Sequence, residues 1–341
     1  MMPRLVPRSL ISGATIGVVS PSSGVAASCP RRFARGLANL RALGFSPVVG
    51  ETGTASCSMP HLSAPPRDRA NDINHMLADP SIDAVIATIG GTGANHVLDY
   101  LDIDTIGCNP KFLIGYSDIT LLQAALWHKL GLTSIVGPAL LPQFGEVNGL
   151  HPFTRQSFLR VASSGKAAGI LPASRVVVSG TQQWDIDDHC ARRESSVPGP
   201  WAYATGAADG WLAPVNLESL LALSGTEWAP DLEGALLVLE ASETTSAGRF
   251  HQGLYQLKSQ GVFTDIQGLL VGRFDPRSGC SLYVLGQILA DVLNRPPFPV
   301  VCDLDFGHTD PLLSLPWGVI AELNATRDGS ILFAIREAAG S

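Results

Sequence analysis

Three apolar runs in this chain each end on a residue that can do chemistry. In KFLIGYSDITLL (111–122) the run Phe112-Leu113-Ile114 meets Gly115-Tyr116-Ser117-Asp118, and a helix-like pattern follows at once. A strand that turns sharply into a helix pushes its turn residue toward the helix N-terminus, where free backbone N–H groups can stabilise an oxyanion. Ser117 occupies that turn and is a candidate nucleophile. The alternative is that Ser117 or Asp118 only caps the helix, since a G-x-S-x-G elbow has a second glycine where this chain has Ile119.

A serine nucleophile needs a base, and the base needs an acid to orient it. His308 follows the apolar run PVVCDLDF and Gly307, which places it in a loop at a strand's C-terminal end. The plainer reading is a loop histidine bonded to backbone. Glu240 ends the run ALLVLE, where an ionised carboxylate is costly without a partner. Glu243, three residues on, is the competing acid. Gly90-Gly91 after AVIAT could bring a backbone N–H close to a substrate oxygen and complete an oxyanion hole with the N–H of Asp118.

Other chemistries have weaker support. Asp303, Asp305, His308 and Asp310 cluster in sequence, but no second histidine stands at ligand spacing, and alternation puts the two strand aspartates on one buried face. We therefore expect no metal and no organic cofactor. The glycines near residue 90 resemble a phosphate cradle, yet neither G-x-G-x-x-G nor G-x-x-x-x-G-K-[ST] occurs.

With 341 residues the chain suits two domains or one large one, and its 45% hydrophobic and 16% charged content fits a well-filled core. A net charge of −7 argues against nucleic acid or an anionic membrane as partner. The six cysteines show no C-x-x-C spacing, so reduced thiols in a cytoplasmic protein are expected. The first twenty residues contain two prolines and no continuous apolar stretch of the kind a signal peptide needs.

The elements that must position these residues alternate strand and helix over 1–145. ATIGVVS (14–20), FSPVV (45–49), AVIATIG (84–90), 111–116 and TSIVGP (133–138) read as strands, and 30–43, 66–77 and 119–130 as helices. That rhythm predicts an α/β fold with a parallel-sheet, flavodoxin- or Rossmann-like N-terminal domain. Residues 146–190 read as a linker with short elements. A C-terminal α/β or β-rich domain (191–341) follows, with strands at 235–240, 266–274 and 299–307, helices at 249–261 and 283–294, and an aperiodic start over 192–210. The active site is expected between the two domains. Trp184, or failing that Trp201, is expected to touch an aromatic part of the substrate, because both lie in segments of little periodicity. The plain alternative is that either fills the joint between domains.

The blocks IGVVSPSS (16–23), TIGGTGANHVLDYLD (88–102), FLIGYSDIT (112–120), PVNLESLLALSGTEWAP (214–230), LLVLE (236–240), GLLVGRF (268–274) and FGHTDPLLSLPWG (306–318) resemble the LD-carboxypeptidase family of serine peptidases, in family order over nearly the whole chain. The likeness is greatest to its microcin C immunity branch. The resemblance implies a Ser-Glu-His triad at Ser117, Glu240 and His308, oxyanion-hole amides at Gly91 and Asp118, and a cytoplasmic homodimer. Its substrate is expected to be a small peptide or an aminoacyl-nucleotide, with Trp184 matching the aromatic that stacks on the nucleobase. The family's Glu-Asp acid pair is Glu240-Ala241 here, and its GGN segment is Pro214-Val215-Asn216, so only the substrate-binding Asn216 carries over. Ile89 before the glycine pair sides with the immunity branch. The alternatives are a murein-tetrapeptide LD-carboxypeptidase, an acyltransferase on the same scaffold and a non-catalytic small-molecule binder.

Overall fold

The computed structural model describes residues 3–59, 61–180 and 182–341. Five short parallel strands, β1 (Thr15–Val19), β2 (Ser46–Val49), β3 (Ala84–Ala87), β4 (Phe112–Gly115) and β5 (Ile135–Val136), lie in the order β5-β4-β3-β1-β2. β3 and β4 are buried at every residue, as continuous apolar runs require when helices cover both faces. The helices Pro30–Ala42 and Pro66–Ala78 both begin on proline, whose fixed φ suits the first helical turn.

The rest of the chain builds a mixed sheet. Its strands are β6 (Gly169–Ile170), β9 (Trp201–Ala204), β10 (Gly206–Asn216), β11 (Ala235–Glu240), β12 (Gly268–Gly272), β13 (Val300–Leu304), β15 (Ile320–Ala325) and β16 (Ile331–Ile335), in the order β6-β16-β15-β10-β11-β12-β13-β9. β10 to β13 run parallel in its centre, and the flanking strands are antiparallel. β7 (Val176–Ser179) and β8 (Arg193–Ser196) form a separate antiparallel ribbon. The remaining strand, β14 (Leu315–Pro316), leaves this half of the chain and pairs antiparallel with β5, at the edge of the first sheet. The fold class is α/β, as the sequence predicts.

Two segments are more regular than their composition suggests. Residues 146–190 include a three-turn helix, Pro152–Ala162, that buries Phe158, Val161 and Ala162. The aperiodic stretch 192–210 holds β8, β9 and the start of β10. β8 and β9 are short, exposed or half-exposed, and lie in a ribbon or at a sheet edge, and β10 is only partly buried over its first five residues, so no apolar alternation marks the stretch.

The two sheets meet across the helix Ile119–Leu130, which starts just after Ser117 and is buried from Ile119 through Trp127. Trp127 stacks on Trp211 of β10 with ring centroids 5.2 Å apart, and Trp317 leans on both. The helix carrying the Ser117 turn is thus held between the sheets, and the parallel strands of both sheets aim their C-terminal ends at one cleft.

Candidate active site

Ser117 sits at φ 62°, a left-handed conformation that serine adopts at a cost. Its carbonyl is fixed by three donors: the Thr120 amide (2.9 Å), the Thr120 hydroxyl (2.7 Å) and the Ser219 hydroxyl (3.2 Å). Two come from the first turn of its own helix and one from the other domain, so the strained turn is pinned from both sides.

His308 lies across the cleft, in the loop after β13. Its Nε2 is 2.9 Å from Ser117 Oγ, and its Nδ1 is 2.6 Å from Glu240 Oε2. Glu240, at the end of β11, is 1% exposed. Glu243 is 36% exposed and lies 3.7 Å from Nε2, on the serine side of the ring. The structure therefore brings Ser117, His308 and Glu240 into one hydrogen-bonded row and leaves Glu243 beside it. Burial by itself would lower the His308 pKa, but the Glu240 carboxylate outweighs it and holds the imidazole up at about 9. The Tyr116 ring packs edge-on against the imidazole at 5.1 Å.

The His308 loop rests on a buried ionic group. Arg273 pairs with Asp303 (3.1 Å) and Asp305 (2.8 Å), and Asp305 also accepts from the Ser174 amide (2.6 Å). The two aspartates thus serve a guanidinium. Among the described residues no group of three His, Cys, Asp or Glu side chains converges as a metal site, and no helix is long and apolar enough to cross a membrane.

Gly90 and Gly91 form the wall facing Ser117. Gly91 adopts φ 135°, and a Cβ there would come within 2.7 Å of Ser23 Cβ. The Asp118 carboxylate anchors this wall. Its Oδ2 accepts from Ser22 Oγ (2.5 Å) and from the Ala94 amide (2.8 Å). Fully buried Arg69 braces the same loops through the carbonyls of Pro21 and Gly93. Burial raises the Asp118 pKa, opposed by the Ser22 and Ala94 bonds.

The cleft has a volume of about 1390 Å³, and Ser117, Asp118, Gly91, His308, Trp184 and Asn216 all line it. Trp184 lies under the Arg32 guanidinium, 4.4 Å from the ring centroid. Asn216 stands opposite Glu240 in the β10–β11 register, and its Oδ1 caps the helix Leu217–Leu223 through the Ser219 amide (3.0 Å). Trp201 does not reach the cleft: it sits on edge strand β9, paired with β13, with Tyr203 as its aromatic neighbour. Sequence reasoning did not find Ser22, Arg69 or Arg32. The S-P-S-S loop after β1 carried a signal, since loops at the C-terminal ends of parallel strands build sites. Two arginines within amphipathic helices carried none.

A strained serine turn, a buried acid and a histidine between them, at the meeting of two α/β units, define a serine hydrolase. The chain belongs to the LD-carboxypeptidase family of serine peptidases: residues 16–137 match the LD-carboxypeptidase N-terminal domain and residues 209–323 the C-terminal domain. The microcin C7 self-immunity protein MccF of Escherichia coli is 32% identical over 328 residues, covering 92% of each chain. A protein of Bacillus subtilis (strain 168) named probable murein peptide carboxypeptidase is 26% identical, covering 96% of this chain and 94% of its own. Among solved structures, MccF in complex with glutamyl sulfamoyl guanosine superposes with a TM-score of 0.87 at 29% identity, covering 99% of this chain and 100% of that one. MccF has also been solved in complex with aspartyl sulfamoyl adenosine.

Proposed function

We propose that the chain hydrolyses an amide bond in an aminoacyl- or peptidyl-nucleotide, with Ser117 as nucleophile, His308 as general base and Glu240 as the acid that orients it. His308 Nε2 takes the Ser117 proton as Oγ attacks the carbonyl. Glu240 holds the Nδ1–H tautomer and stabilises the imidazolium. The amides of Gly91 and Asp118 receive the tetrahedral oxyanion. His308 then donates its proton to the leaving amine, and water releases the acyl group by the same steps in reverse. Residues 1–145 supply the nucleophile, residues 191–341 the acid and the histidine, and the intervening 146–190 the aromatic Trp184. On the family resemblance we place the protein in the cytoplasm as a homodimer, which light scattering on the purified chain tests.

The observation that carries the nucleotide reading is Trp184, an aromatic lining the same cleft as Ser117 and backed by Arg32. An aromatic face offers stacking to a nucleobase, which a murein peptide lacks. The ligands named for MccF are of the corresponding chemical class. The second reading, a murein-tetrapeptide carboxypeptidase, draws on the Bacillus subtilis relative. Mass spectrometry after incubation with aspartyl sulfamoyl adenosine and, separately, with a murein tetrapeptide decides between them. Release of aspartate from the first alone supports the nucleotide reading. Release of the terminal D-amino acid from the second alone overturns it.

A further inference from the structure

We propose that Arg192 is a positioning residue for His308, acting through Asp310, and that it ties the arm bearing Trp184 to the base; this rests on the roles assigned above. The arm that bears Trp184 has β7 and β8 as its two legs, and both legs hold Asp310. From β7, the Val178 amide donates to the Asp310 carbonyl (2.7 Å). Next to β8, Arg192 Nη2 donates to Asp310 Oδ2. Asp310 is two residues from His308, so whatever fixes its backbone and carboxylate fixes the loop that aims the imidazole.

A second route reaches the ring itself. Gln143 Nε2 donates to Asp310 Oδ1 (3.1 Å) and to the Tyr116 hydroxyl (3.3 Å), and the Tyr116 ring packs on His308. On the other side of Arg192 the charges alternate toward Trp184. Glu146 lies 3.4 Å from Arg192 and 2.5 Å from Arg32, and the Arg32 guanidinium covers the Trp184 ring. The Arg32 amide also donates to Asp185, the neighbour of Trp184 (2.7 Å). Trp184, Arg32, Glu146, Arg192 and Asp310 thus form an unbroken line of contacts ending at the His308 loop.

Contacts far from the scissile bond raise kcat when their binding energy is used to hold reacting groups in place. Here a base seated on Trp184 would restrain the arm, and Arg192 would pass that restraint to the base of the reaction. The Ser117–His308 distance is already that of a hydrogen bond, so a displacement near 1 Å would break it, with a loss of about 10²-fold in rate.

The test uses the full-length protein and two readouts. The first is the rate at which a fluorophosphonate labels Ser117, which reads Ser117–His308 alignment without any substrate. Arg192→Met and Asp310→Asn should each slow labelling by about 10- to 100-fold. The double variant should lose little more than either, because the two act as one unit, and Arg192→Lys should recover part of the rate. The second readout is turnover of aspartyl sulfamoyl adenosine, where the loss should fall on kcat and leave KM within about threefold. An unchanged labelling rate in Arg192→Met, or losses that multiply in the double variant, would overturn the proposal. If Arg192→Met does not fold, Arg192→Lys decides, and wild-type labelling by the folded lysine variant counts against a positional role for the Arg192–Asp310 geometry. Failure of the wild-type chain to cleave the sulfamoyl substrate would count against the nucleotide reading alone, since labelling still judges the coupling.

Discussion

Gly90 and Ser117 touch so closely that a single methyl group would separate them. A Cβ on Gly90 would lie 2.8 Å from Ser117 Cβ and 3.2 Å from the Asp118 nitrogen. The loops after β3 and β4 therefore set the nucleophile's position by contact. Gly90→Ala should fold, because the clash can be relieved toward the open cleft, but its turnover should fall by about 10²-fold or more. Paired measurements of turnover and thermal unfolding check this, and a fully active Gly90→Ala would refute the tight fit.

Ser117→Ala should remove turnover by about 10³-fold or more while the protein stays folded, since the hydroxyl supports no core. The left-handed backbone adds a second expectation. Ser117→Gly should be more stable than Ser117→Ala by about 1 kcal/mol, because only glycine occupies φ 62° without steric penalty. Equal denaturation midpoints for the two variants would show that the turn is unstrained.

Two glutamates flank His308, and they should behave differently. Glu240 contacts Nδ1 at 2.6 Å, whereas Glu243 lies 3.7 Å from Nε2 and is partly exposed. Glu240→Gln should lower kcat by about 10³-fold, since a neutral amide no longer stabilises the imidazolium. Glu243→Gln should stay within a few-fold of wild type. The reverse ranking would move the orienting role to Glu243.

The pH profile follows from the same pair. His308 accepts a proton only when neutral, and its pKa stands at about 9 because Glu240 outweighs burial. Activity should therefore rise with pH through an inflection near 9, and Glu240→Gln should move that inflection down. The stability linkage has the opposite sense. The pair's contribution to folding is complete below the ordinary histidine value of 6.5 and is lost as pH rises through 9. A kcat/KM profile flat from pH 7 to 10 would contradict a base held in this way.

Trp184→Ala should weaken a nucleotide-bearing substrate by about ten- to a hundredfold, the loss expected from about 1–3 kcal/mol of stacking. A murein peptide should be almost unaffected. Equal losses on both substrates would mean that the ring shapes the cleft generally and reads no base.

Much of the site was legible because it stands where parallel strands end. Glu240, Ser117 and His308 each follow an apolar run, and in an α/β protein those ends gather on one side of a sheet. A site between the two domains was expected, but the sequence could not say what holds the domains together there, the Trp127, Trp211 and Trp317 packing between segments far apart in the chain. Trp201 shows the limit most plainly. Its segment lacks periodicity because it is an edge strand, and Trp184's because it belongs to an arm over the cleft, and local composition reads alike in both. Arg32 and Arg192 were equally hidden, since their partners come from distant loops and no spacing rule relates them.

The closing strand β14 carries a consequence for how the protein is made. The parallel strands of the sheet behind Ser117 leave the ribosome before those of the second sheet, yet the first sheet's outer edge is finished only when Leu315 and Pro316 arrive and pair with β5. By then the Glu240 and His308 segments have already been synthesised. A nascent chain halted before residue 315 would leave β5, the neighbour of the strand that leads to Ser117, as an open sheet edge, an invitation to pair with a stranger. By the same exchange, neither half cut from the other should fold as stably as it does in the whole chain. The serine half would lack its last strand, and the histidine half would carry that strand with nothing to dock it on.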